Sequence, residues 1–230
     1  MSARSLLAGL LLLASVGVAG ATAPEEAIIA LDNYTSPKGK NLAVAFSDQL
    51  RQIYNRIYHC RPWLDVQKGG LGFTRPVGLP GDDRYLNIWV QVDQQMTPES
   101  RALGPAALRA SAMFSRHGVD LLRQVSAGAS IFADPTLYGY SVILTWLKPN
   151  GEPGKDPQKT ETVGVFTDKA TVRAFLAKQI GAKEFVERAT IVAFDGNERV
   201  GRLPLEIWDD DFATTFKPKG YETDDKTVRC

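Results

Sequence analysis

Histidine is the scarcest reactive side chain in this sequence. His59 and His117 are the only two in 230 residues, which excludes any site built from several imidazoles. No H-E-x-x-H, C-x-x-C, G-x-S-x-G or S-x-x-K pattern occurs, and no Gly-rich phosphate loop ends in Lys-Ser/Thr. Gly69-Gly70-Leu71-Gly72 matches such a loop in glycine content alone and reads as a turn or bulge. His59-Cys60 carries two metal-ligating, thiolate-activating groups side by side. Helical neighbours point about 100° apart, so packing is the better reading of that pair. His117 precedes Gly118 at an expected helix end, where terminal carbonyls favour a cationic ring.

The carboxylates offer acid–base chemistry only if the fold gathers them. Asp82-Asp83 and Asp93 flank the clearest strand, and a facing pair about 5 to 9 Å apart would suit glycan hydrolysis. Asp209-Asp210-Asp211 and Asp224-Asp225 lack the spacing of a calcium loop. One Asp of the first run is expected to cap a short helix beginning near Phe212. No metal or cofactor is implied. Trp63, Tyr85, Trp89, Tyr138, Tyr140, Trp146 and Trp208 serve as core or as a recognition surface. Tyr85 and Trp89 are the expected binding residues, because their strand face is the more polar one.

Two cysteines, Cys60 and Cys230, fit an oxidising compartment. Paired, they would tie the last residue to an early helix and stabilise the fold by at most about 5 kcal/mol. Unpaired, Cys60 is a small buried residue and Cys230 sits on a frayed tail. Asn33-Tyr34-Thr35 is a glycosylation sequon in a host that reads one.

The elements that must position these groups follow from periodicity. Asn41 can cap a helix reaching about Tyr58, with Phe46, Leu50, Ile53 and Ile57 on one face. Residues 63–83 are rich in Gly, Pro and Asp and read as loop, with a short strand near 71–74. Residues 85–92 alternate cleanly, Leu86, Ile88, Val90 and Val92 against Tyr85, Asn87, Trp89 and Gln91. A helix follows from Pro105, broken at Gly118 and resumed to Val125. Residues 137–147, apolar on both faces, read as a central strand covered on both sides. A polar loop spans 148–160, then a strand at 162–166 and a helix capped by Asp168 that Gly181 stops. A helical turn at 182–187 follows, and Asp195-Gly196-Asn197 joins a last hairpin.

The first twenty-one residues read as a cleavable export signal. Arg4 is the positive end, residues 6–18 the apolar run, and Ala19-Gly20-Ala21 the preferred cut. The competing Ala21-Thr22-Ala23 site would leave Pro24 just beyond the bond. A lead-in, helix and loop fill 22–83, the core 84–208, and a polar tail 209–230. The apolar share of 44% supports a real core, and no second run is long enough to span a membrane. Net charge is +1 and falls to near zero once Arg4 is removed, which disfavours nucleic acid as a partner.

From residue 84 the expected order is βαββαβ plus one strand, that of a ferredoxin-like α+β sandwich. Both helices would lie on one face, and the N-terminal helix is a natural cover for the other. The chain then reads as an exported, non-catalytic binding protein of the bacterial envelope, periplasmic or secreted, meeting a protein or a cell-surface polymer. The alternatives are an exported hydrolase using Asp82, Asp83 or Asp93, and a small-ligand carrier with a cavity between that helix and the sheet.

Overall fold

The computed structural model describes residues 23–76, 82–93, 105–148 and 160–215. The N-terminal part holds α1 (Pro24–Ala27), α2 (Pro37–Ala45), α3 (Ser47–Cys60), β1 (Leu64–Thr74) and β2 (Arg84–Val92). Then come α4 (Ala106–Met113), α5 (Val119–Ser126), α6 (Ala129–Ala133), β3 (Leu137–Leu147) and β4 (Thr160–Asp168). The chain closes with α7 (Lys169–Leu176), α8 (Ala182–Arg188), β5 (Thr190–Asp195), β6 (Glu198–Gly201) and α9 (Phe212–Thr215). Residues 1–22, which include the expected export signal, the 149–158 stretch, Asp224, Asp225 and Cys230 lie outside the described residues.

The strands form one open six-stranded sheet in sequential order, β1-β2-β3-β4-β5-β6. Only β2 and β3 run parallel; every other neighbouring pair is antiparallel. The class is α+β, but the ferredoxin-like strand order is not the one adopted. That order needs the strand after the second helix to lie beside β2, and β1 already occupies the place. The Gly-rich stretch read as loop is therefore a full edge strand. It absorbs its glycines in an irregularity between Val66 and Leu71, where Gly69 takes φ +62°.

Local chemistry explains the helix ends. The Ser36 hydroxyl accepts from the Gly39 N–H at 3.1 Å and Pro37 opens the helix, so capping occurs five residues before Asn41. At Phe46 the backbone leaves helical geometry (φ −117°, ψ 23°) and splits the expected single helix into α2 and α3. Gly118 does not break its helix. Phe114–Gly118 forms a π-helical turn in which the Val119 N–H reaches the Phe114 carbonyl, and the helix runs on. A Cβ at Gly118 would lie 2.3 Å from the Phe114 ring, so glycine is needed for room there. Asp168 caps α7 through the Thr171 N–H at 2.9 Å, as its position suggested, but that helix ends at Leu176, before Ile180.

Among the described residues the helices pack on one side of the sheet. Leu71, Leu86, Val142 and Val163 share one buried cluster with Leu50 and Ile57 of α3, Leu121 and Leu122 of α5, Val172 of α7 and Phe185 of α8. Phe46 meets Phe73 of β1 at 6.0 Å, which puts α3 on the same side as the later helices. The N-terminal helix thus does not cover the second face, and among the described residues β3 has helices on one face only. Residues 202–212 cross the helical layer as a strap. Ser111 and Ser115 hydroxyls accept from the Glu206 and Trp208 N–H groups at 2.9 and 3.1 Å. Asp210 caps α9 at the Phe212 N–H, 2.9 Å away. Among the described residues no helix is long and apolar enough to cross a membrane.

Candidate binding face

Strand register builds the uncovered face row by row. Asn87, Ser141, Phe166 and Thr190 form one row across β2 to β5, and Trp89, Ile143, Gly164 and Val192 the next. Gln91, Thr145, Thr162 and Phe194 form a third. None of these twelve side chains is ionisable. Acidic groups sit only at the margins, with Asp65 opposite Gln91 and Asp168 opposite Gly139. At the Asp168 end Tyr85 packs against Tyr138 at 5.3 Å and Phe166 at 6.3 Å. Trp89 and Tyr138 remain 39% and 45% exposed, large fractions for aromatic residues on or beside sheet strands.

Five polar side chains on this face are engaged, while no side-chain bond is described for Gln91 or Thr190. The Trp89 indole N–H donates to Thr145 Oγ1 at 2.9 Å, and Thr145 and Thr162 hydroxyls share a 2.9 Å bond. Ser141 Oγ donates to Asn87 Oδ1 at 2.8 Å, while Asn87 Nδ2 donates to the Gly70 carbonyl at 2.9 Å. Burial, with Tyr138, Asp83 and Asp168 nearby, raises the Tyr85 hydroxyl above its ordinary range, so it stays protonated. The face is aromatic, uncharged at its centre and hydrogen-bonded at five of its polar side chains. It can bury apolar surface at little polar cost, and it holds no nucleophile–base pair.

Asn87 links this face to the β1 irregularity, because Gly70 lies so close that a Cβ there would be 2.7 Å from the Trp89 carbonyl. Asn87→Ala would leave the Gly70 carbonyl and Ser141 hydroxyl without their bonds to it. We expect a loss of about 1–3 kcal/mol, read as a lower urea midpoint at unchanged slope.

The other singled-out residues scatter. Asp82 pairs with Arg84, and its carbonyl accepts from Lys38 at 2.9 Å. Asp83 precedes β2 and Asp93 follows it, so the nine residues of the strand separate them by roughly 33 Å. That distance rules out a facing carboxylate pair between the two. His59 is half-buried against Tyr58 at 4.9 Å, and Cys60 is buried at the end of α3. His117 is not a cation at a helix end: it lies within a continuing helix, buried, with Phe212 edge-on at 5.4 Å. Burial first, then Arg116 and Arg61, lowers its pKa from 6.5 to about 3, so the ring is neutral.

Two concave features lie elsewhere. A cleft of about 240 Å³ beside the π-helical turn is lined by Arg116, Asp120, Arg123, Trp208 and Asp210. Its charges are largely spent on each other: Arg61 grips Asp120 at 2.7 and 3.2 Å, and Arg116 meets Asp210 at 3.2 Å. A shallow groove of about 410 Å³ runs between Ile28–Leu31 and the α2–α3 junction, at the surface. Its lining residues come from helices and the N-terminal segment, so it is not the helix–sheet cavity a carrier was expected to have. Among the described residues no three His, Cys, Asp or Glu side chains are grouped to hold a metal ion.

Tyr138, which the sequence leaves between core and recognition surface, belongs to the face, as do Ile143, Phe166, Val192 and Phe194, which the sequence does not mark for it. Their alternation is in the sequence, yet periodicity cannot say which of two apolar faces is left bare. Compared with known proteins, the chain matches no family, no curated relative and no solved structure.

Proposed function

We propose that this chain is an exported, non-catalytic interaction protein, acting in the bacterial envelope or outside the cell, and that the uncovered sheet face is its contact surface. The observation that carries the reading is the asymmetry of the sheet. One face holds the whole helical layer, while the other presents Trp89, Tyr138, Ile143 and Phe166 with no described helix over them. An open antiparallel face ordinarily turns polar residues to water. An aromatic one without charge at its centre marks a surface that meets something. Export is supported by the charged, apolar and small-residue segments of residues 1–21.

The test is site-specific photocrosslinking in the native envelope, with a photoreactive residue at Trp89 or Tyr138 and a control at exposed Arg51 on α3. A defined species captured from both face positions and not from position 51 is the expected outcome. Equal capture from all three would remove the face from consideration.

A further inference from the structure

We infer that Cys60 and Cys230 form a disulfide, and that this bond fastens the strap and α9 across the helical layer. Among the described residues no cysteine is free, and Cys60 is disulfide-bonded. The chain holds only one other cysteine, Cys230, which lies outside the described residues. The course of the strap points to the same pairing. Its Glu206 and Trp208 N–H groups meet Ser111 and Ser115, Asp210 meets Arg116 at 3.2 Å, and the Phe212 ring stands 5.3 Å from Trp63. These partners run along α4 and the π-helical turn and end three residues beyond Cys60. Arg61 stands between, its Nη1 donating to the Cys60 carbonyl at 2.7 Å. Fifteen residues follow Thr215, up to roughly 50 Å of chain, which is ample to reach the end of α3.

Pairing proceeds by thiol–disulfide exchange with a disulfide-bearing oxidant. One S–S bond forms and one breaks. The oxidant is reduced to two thiols, which take up the two protons and two electrons that Cys60 and Cys230 give up. Such bonds persist in an oxidising compartment, where the proposed export would deliver the chain. The fastening matters because the strap has little else to hold it. The four residues of α9 are too few to form a helix unaided. Its anchor is Phe212, half-buried under the Arg116 guanidinium at 4.8 Å and edge-on to His117. A covalent tether beyond it keeps that ring at high effective concentration against Trp63 and His117.

Peptide mapping without reduction tests the pairing, on protein recovered from its expressing host with thiols alkylated at lysis. The expected result is one linked species joining the Cys60 and Cys230 peptides, with neither cysteine alkylated. Alkylated Cys60 and Cys230, or a Cys60–Cys60 species joining two chains, overturns the inference. Deuterium uptake tests the fastening, in pulses too short for β3 and β4 to exchange. Under those conditions peptides covering residues 202–215 of Cys230→Ser should exchange at least tenfold faster than in the wild type. Unchanged uptake there, with the pairing found, overturns the fastening. If Cys230→Ser does not fold, Cys60→Ala with Cys230→Ala gives the same comparison without leaving a thiol buried at the end of α3.

Discussion

Acidification from pH 6.5 towards pH 3 is expected to remove about 5 kcal/mol of folding stability through His117 alone. Its ring is buried, and burial, reinforced by Arg116 and Arg61, lowers its pKa from 6.5 to about 3. Between those values the unfolded chain binds a proton at this residue and the folded chain does not. Stability therefore rises with pH across the window; it is fully present above 6.5 and drains as pH falls. Near pH 5 the slope is about 1.4 kcal/mol per pH unit, and the window sums to about 5 kcal/mol. Asp134 and Asp168 act with the same sign. Hydrogen bonds from Thr136 hold Asp134 below its ordinary value, and bonds from Thr171 and nearby N–H groups outweigh the burial of Asp168. Their contribution is lost only as pH falls below about 4, so the slope between pH 4.5 and 6.5 belongs mainly to His117. Urea unfolding across that range measures it, and His117→Leu should flatten the slope. A variant with the wild-type slope would mean that the ring titrates normally in the folded protein.

Glu161→Ala is expected to destabilise the fold by about 3–5 kcal/mol. Glu161 accepts from Arg109 Nε at 2.7 Å, again from Arg109 Nη2, and from the Trp146 indole N–H at 2.9 Å. The two charged side chains are only 7% and 11% exposed. Truncating the carboxylate removes the paired charge of a buried guanidinium and the acceptor of the Trp146 indole N–H, and α4 loses this charged link to β4. Replacing both partners, as Arg109→Met with Glu161→Leu, should recover most of the loss, because no buried charge then remains unpaired. The urea midpoints of the single and double variants test this. A double variant no better than the single would show that the pair holds the fold by its geometry and not by balancing its own charge.

The elements most legible from sequence were those whose pattern had one physical solution. The alternation over 85–92 became β2, Asp168 became a cap, and Gly196-Asn197 after Asp195 became the two-residue turn between β5 and β6, with Gly196 at φ +59°. Competing local solutions misled. Ser36-Pro37 and Asn41 are both reasonable helix starts, and the earlier one wins because Pro37 needs no N–H at the first position. Gly118 looked like a stop, but its missing side chain makes room for Phe114. The glycines of β1 looked like loop because irregular pairing is invisible until the partner strand is known. For the same reason only two members of the face, Tyr85 and Trp89, could be nominated in advance.

By itself the sequence determined the periodic elements, a core-forming composition, the absence of several known catalytic motifs and an N-terminal apolar run preceded by Arg4. These depend on neighbours within a few residues, or on totals along the chain. Strand order, the side on which α3 packs, the burial of His117 and the bare face around Trp89 were decided only in the tertiary structure. Each depends on groups dozens of residues apart in sequence: β1 claims the place beside β2, and the helices then share a single side. Local pattern can show that a face is apolar, but only the assembled layers decide whether it is covered.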